Sequence, residues 1–264
     1  MRTLAVGVVV LAALVCLAPP AHAAKCPPDS VPVGTLCVDT YEASIWGIPA
    51  TNVGLISRVK KGSATLADLT SGGATQLGAA SVPDADCPSP YGANFPPTGN
   101  WIQPLYAASV PGVLPSSCIT WFQAAQACRL SGKRLLTNLE WQDTAAGTPD
   151  GAPCIVTGGP GSAGTAGCVS NWGAFDMVGN VFEWVADWVP LSTACPGWGG
   201  FSDDRMCLAG ADTMTIGPGA LIRGGSWING TLAGVFHVED EGPQRSFGNV
   251  GLRCGRDLGR VLAP

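Results

Sequence analysis

Through most of this chain apolar and polar positions follow no sustained period, so long helices and long alternating strands are not expected. Two stretches depart from that background. In CITWFQAAQACRLSGKR, Trp121, Ala125 and Cys128 fall on one helical face. Thr120 followed by Gln123 is a capping box, in which each side chain satisfies a backbone N–H at the helix start. Gly132 ends this helix. Thr137 and Glu140 repeat the device and open a second short helix, which carries Leu139 and Trp141 and stops at Gly147.

Elsewhere the pattern predicts strands and loops. Residues 25–45 read as a short cysteine-closed loop running into an extended segment, with Cys26 and Cys37 as its clasp. Residues 50–117 are rich in Gly, Ala, Ser and Pro and read as loops with short strands. Residues 148–170 form another Gly-rich loop. In NWGAFDMVGNVFEWVADW the apolar positions Val181, Phe182, Trp184, Val185 and Trp188 fit no helical period, and short strands with tight turns are expected. An insertion containing Cys195 and Cys207 follows, and then RGGSWINGTLAGVFHVEDEGPQRSFGNVGLRC, from Arg223 to Cys254. The ends of this last stretch have the regularity of turns and strands, whereas its middle has none. No internal repeat or linker divides residues 25–264, which read as one domain.

Composition narrows the setting. Arg2, the apolar run Leu4–Leu17 and Ala21-His22-Ala23 have the form of a secretory signal peptide, expected to occupy residues 1–24. No later stretch is long and apolar enough to span a membrane. Of 11 cysteines, Cys16 lies in that leader, and the even remainder in an exported chain points to disulfides. Cys87–Cys118, Cys154–Cys168 and Cys195–Cys207 are expected pairs by proximity in sequence, and no C-x-x-C spacing suggests zinc or a redox motif. The protein is expected to be secreted or periplasmic. Its net charge of −5 and the absence of a basic cluster argue against nucleic acid as a partner.

Candidate chemistry is sparse. Outside the leader the only histidine is His237, so neither a multi-histidine iron site nor a Ser-His-Asp triad is expected. GGPGSAGTAG lacks the lysine and hydroxyl of a phosphate-binding loop and reads as plain loop.

Four landmarks carry a resemblance to the sulfatase-modifying factor family, whose best-known members are formylglycine-generating enzymes. They are CITWFQAAQACRLSGKRLLTNLEWQDTAAG, FDMVGNVFEWVADW, LIRGGSW and NVGLRC, in order between Cys118 and Arg256. The N-terminal third resembles the family only through CVDTYEAS. The resemblance implies an α+β, C-type-lectin-like fold, loop-rich and here disulfide-stapled, and a bridge between Cys128 and Cys254. It also implies what is missing. The family's oxidases hold copper with two cysteines, and the matching positions here are Asn229 and Gly234, so copper is not expected; with His237 the only histidine outside the leader neither is iron, and catalysis is disfavoured. A structural Ca²⁺ site implied by the family would take carboxylates from Asp176 and Glu183 and backbone carbonyls from Gly179 and Val181.

The stretch from Arg223 to Cys254 also resembles variable proteins of diversity-generating retroelements. The matching frame is Arg223 to Trp227, Gly230, Ala233 to Phe236, Pro243 and Val250 to Arg253. By that resemblance the rewritten, ligand-contacting positions would be Ile228, Asn229, Thr231, Leu232, His237, Val238, Asp240, Ser246 and Phe247. All nine are residue types that adenine mutagenesis of an AAC codon produces. Glu239, Glu241 and Gln244 are not, so they would be fixed or arise from another codon. The expected function is therefore a non-catalytic module that binds a protein or surface ligand. The alternatives are a metal-dependent oxidoreductase of unrecognised chemistry and a purely structural cell-surface domain.

Overall fold

The computed structural model describes residues 25–81, 87, 104–211 and 217–258. The expected signal peptide lies outside the described residues. Strands β1 (Ser30–Val33), β2 (Leu36–Asp39) and β3 (Ser44–Gly47) lead to helices α1 (Val53–Lys60) and α2 (Leu66–Ser71). Strands β4 (Thr75–Leu77) and β5 (Leu105–Ala108), helix α3 (Trp121–Leu130), strand β6 (Arg134–Leu135) and helix α4 (Asn138–Ala145) follow. The rest is β7 (Phe182–Pro190), β8 (Ser192–Ala194), β9 (Ala209–Ala211), β10 (Pro218–Arg223), β11 (Val238–Glu241), β12 (Val250–Leu252) and β13 (Cys254–Asp257).

These strands form small sheets. One has the order β1-β2-β13-β6, a second β11-β10-β7-β12, a third β4-β3-β5, and β8 pairs with β9. In the second sheet β12 runs parallel to β7 while the other pairs are antiparallel. The architecture is α+β, loop-rich and stapled by five disulfides: Cys26–Cys37, Cys87–Cys118, Cys128–Cys254, Cys154–Cys168 and Cys195–Cys207. Cys128–Cys254 fastens α3 to the start of β13 and has the longest sequence separation, 126 residues. All five pairs are those expected from the sequence.

Both expected helices are present with both capping boxes formed. Gly132 and Gly147 follow them with φ of +72° and +81°, a conformation that favours glycine. Their buried faces are rotated from expectation. Helix α3 buries Gln123, Ala124, Ala127 and Cys128, while Trp121 and Ala125 pack only at the edge of the core. In α4, Trp141 is buried but Leu139 is 69% exposed. The expectation of loops and strands over 50–117 missed α1 and α2. Those helices bury only Leu55, Val59 and Leu69 between them, too few apolar positions to show a period. The Thr65–Asp68 capping box was nonetheless there to be read.

Residues 182–190 form one nine-residue strand instead of short strands with turns. Phe182, Glu183, Trp184 and Val185 are all buried because β7 is flanked by β10 and β12 and covered on both faces. That removes the alternation a half-exposed strand would show. Trp184 and Ile222 join the cluster containing Cys128 and Cys254, whereas Val185, Leu221 and Val238 join the one containing Trp141.

Candidate binding surface

The turn after β10 holds the two positions that would carry copper-binding cysteines in the oxidases. Asn229 Oδ1 accepts hydrogen bonds from Ser226 N (2.8 Å) and Ser226 Oγ (2.9 Å), so its amide ties the Gly-Gly-Ser turn together. Gly234 packs directly beneath the Asp204 carboxylate, where a Cβ would collide with that side chain. Every cysteine among the described residues is in a disulfide. No thiolate is therefore on hand for copper there.

The nine proposed contact positions separate by burial. Ile228, 56% exposed, and Thr231 are open to solvent. Asn229, Leu232, Asp240, Ser246 and Phe247 are half-buried. Asp240 Oδ2 accepts from Ser192 N (2.9 Å), and the Phe247 ring packs on the core with the Arg245 guanidinium over its face, 4.7 Å from the centroid. His237 and Val238 face the interior and offer no contact surface. Val238 begins β11 opposite Arg223. His237 Nδ1 lies 2.5 Å from Leu232 O and Nε2 2.8 Å from Glu239 Oε1, both acceptors, and the ring sits edge-on to Phe182.

Arg223 supports this turn from beneath. Nη1 donates to His237 O (2.6 Å), Nη2 to Val235 O (3.2 Å) and to Gln142, and the guanidinium lies over the Trp141 ring. Burial lowers its pKa to about 10, a shift that the nearby Asp204 carboxylate partly offsets.

The insertion supplies the rest of the surface, outside the positions expected from the sequence. Its returning segment runs beside the variable-like stretch: Arg205 N donates to Leu232 O (3.0 Å), Val238 N to Arg205 O (3.0 Å) and Cys207 N to Val238 O (2.9 Å). Trp198 Nε1 donates to Phe236 O (3.1 Å). Trp198, Phe201 and Phe236 form an exposed chain of rings, with Phe201–Phe236 centroids 4.9 Å apart and Trp198–Phe201 6.4 Å apart. A groove of about 450 Å³ opens beside them, lined by Trp198, Asp203, Asp204, Arg205 and Leu232. The hydrophobicity of WGGF, between Cys195 and Cys207, was the available signal.

The residues expected to hold calcium meet other partners. Asp176 takes backbone N–H groups from Gly164 (2.6 Å) and Thr165 (3.3 Å). Glu183 accepts from Trp141 Nε1 (2.7 Å) and from Arg253 through Nε (2.9 Å) and Nη2 (2.7 Å). Both of its oxygens are engaged, and the Arg253 guanidinium that meets them is fully buried. Gly179 and Val181 lie on the turn between them, with Val181 N donating to Glu42 Oε1 (3.1 Å). Burial raises the Glu42 carboxyl well above its usual range, and Asp176 and Glu183 add repulsion. Asp176, Glu183 and Glu42 thus share one buried network with Arg253.

Residues 157–258 match the family model of the sulfatase-modifying factor enzyme 1-like domain. The formylglycine-generating enzyme of Streptomyces coelicolor is 28% identical over 177 residues, covering 53% of this chain and 51% of the enzyme. The chain thus spans about half the length of that curated relative. Among solved structures, the Major Tropism Determinant U1 variant aligns with a TM-score of 0.45 at 18% identity, covering 89% of this chain and 54% of that one. PvdO from Pseudomonas aeruginosa aligns with a TM-score of 0.41 at 17% identity, covering 84% of this chain and 94% of that one.

Proposed function

With residues 157–258 matching the sulfatase-modifying factor enzyme 1-like domain, we propose that this chain is an exported, non-catalytic member of that family that binds a protein or surface ligand. One observation carries the reading. Trp198, Phe201 and Phe236 expose joined rings beside a groove that reaches Leu232 and Arg205. A mixed apolar and charged surface of this kind suits protein contact, because large rigid rings bury much area at little entropic cost. Ile228 and Thr231 extend the exposed part of the same stretch. Under this reading the contact set is narrower than the nine residues expected from the sequence, since His237 and Val238 belong to the interior. The five disulfides fit an oxidising compartment, and no helix among the described residues is long and apolar enough to cross a membrane.

The non-catalytic part of the proposal rests on Asn229 and Gly234, whose side chains cannot replace two thiolates. Purified protein supplied with copper and a cysteine-containing peptide is expected to consume no oxygen above the buffer rate; sustained uptake with peptide oxidation would refute it. The retroelement origin of the variable-like stretch is tested in the DNA beside the gene. A near-copy of the Arg223–Cys254 coding segment differing only at adenines, next to a reverse transcriptase, is the expected finding. Its absence from a complete flanking sequence would leave a fixed surface.

A further inference from the structure

Asp150, Asp203 and Asp204 each bring one carboxylate oxygen within 4.8 Å of the others. Asp150 lies in the loop leading to Cys154, and the other two lie in the loop closed by Cys195–Cys207. Among the described residues no lysine or arginine comes within ion-pair distance of the three: Arg205, next in sequence, turns its Nη1 to Glu239 at 3.5 Å, and the buried Arg223 guanidinium feels the Asp204 charge without contacting it. Three like charges gathered this way repel one another without a cation between them.

Asp204 sharpens the point. It is only 2% exposed, yet its Oδ1 is buried with no hydrogen-bond partner. Its other oxygen, Oδ2, accepts from Phe236 N (2.7 Å), and its backbone N donates to Ser202 Oγ (3.1 Å), so the side chain is held in place. The absence of a Cβ at Gly234 makes room for it. An orphaned carboxylate oxygen in the interior is costly, and an ion bound at this carboxylate would offset that cost.

We propose that Asp150, Asp203 and Asp204 form a binding site for a hard divalent cation, Ca²⁺ in preference to softer metals, which ties the Cys195–Cys207 loop to the loop before Cys154. Three carboxylates and no nitrogen or sulfur donor are the chemistry of an oxygen-seeking ion. The two exposed members, Asp150 and Asp203, leave room for water in the rest of the shell. The ion would stiffen the wall of the groove that Asp203 and Asp204 share with Trp198 and Leu232. This site is separate from Asp176 and Glu183, and its occupancy is measured without reference to any partner.

The test is calcium calorimetry on the purified, disulfide-intact protein, together with terbium luminescence excited through tryptophan, since Trp198 lines the same groove. One-to-one binding with a Kd on the order of 10⁻⁴–10⁻³ M is expected, the range of extracellular calcium modules. The exposed pair changed together, Asp150→Asn with Asp203→Asn, is expected to weaken binding at least about tenfold by removing two ligand charges. Asp143→Asn, an exposed acid elsewhere, is expected to leave it unchanged. No binding up to about 10 mM calcium, well above that range, would overturn the proposal. So would binding that the Asp150/Asp203 double variant does not alter, because the ion would then sit elsewhere.

Discussion

Glu183 and Asp204 are both buried carboxylates, and the chain treats them differently. Glu183, at the centre of the second sheet, has its countercharge built in: Arg253 reaches it from between β12 and β13, and Trp141 supplies a further donor. Asp204, at the rim, has one backbone donor and an orphaned oxygen. Glu183 therefore carries its own countercharge, whereas Asp204 is left to take one from solution. The same division separates the disulfide-fastened frame from the exposed rings of Trp198, Phe201 and Phe236.

The largest expected effect comes from breaking the central pair. Arg253→Met strands Glu183 without its cation, and a loss of about 3–5 kcal/mol of unfolding free energy is expected in urea titrations. A loss below about 1 kcal/mol would mean that the centre does not carry the frame. Next is the Cys128→Ser, Cys254→Ser double variant, which frees the longest disulfide loop and is expected to cost about 2–5 kcal/mol by the same measurement.

A smaller effect sits at the edge of the frame, where Arg134 Nη1 and Nη2 grip Glu140 and Nη2 also reaches Asp257. The bonds from Arg134 hold the Glu140 carboxyl below its ordinary value of 4.5, against some burial. A depressed carboxylate stabilises the fold above its unfolded pKa and loses that contribution as pH falls through the folded one. Glu140→Gln is thus expected to cost about 1 kcal/mol near neutral pH, discounted for partial exposure, with the gap to the parent closing below 4.5. A gap that stays constant with pH would mean that the carboxylate charge carries none of the cost, since glutamine at this position keeps the capping box.

The smallest effect on stability is expected at the rim. Phe201→Ser and Ile228→Ser should shift unfolding by no more than about 0.5 kcal/mol, since both side chains are exposed, while reducing ligand capture once a ligand is in hand. A large loss of stability from either would place these residues in the frame and erase the contrast.

Much of the frame was legible. The capping boxes at Thr120 and Thr137 announced their helices because a cap is a local device of four residues. The glycines that stop them were equally readable. Helices α1 and α2 were missed because Leu55, Val59 and Leu69, their buried residues, pack into a cluster with distant Trp46 and Tyr106 and are too few to show a period. The site was legible only in part. Ile228 and Thr231 are exposed as a contact role requires, but an exposed Phe236 and a buried His237 could not be told apart, since both stand in the same irregular run.

By itself, then, the chain's sequence determined the two capped helices and the absence of cysteine at positions 229 and 234, with the export signature and the cysteine pairs close in sequence as expectations. These depend on neighbours along the chain or on residue identity alone. Only the tertiary structure decided which irregular residues face solvent, that Arg253 answers Glu183, and that Asp150 meets Asp203 and Asp204. The physical reason is that burial and charge pairing are set by segments that lie far apart in sequence, as Asp39 and Phe175 do, whose backbone carbonyls also hold Arg253 in place.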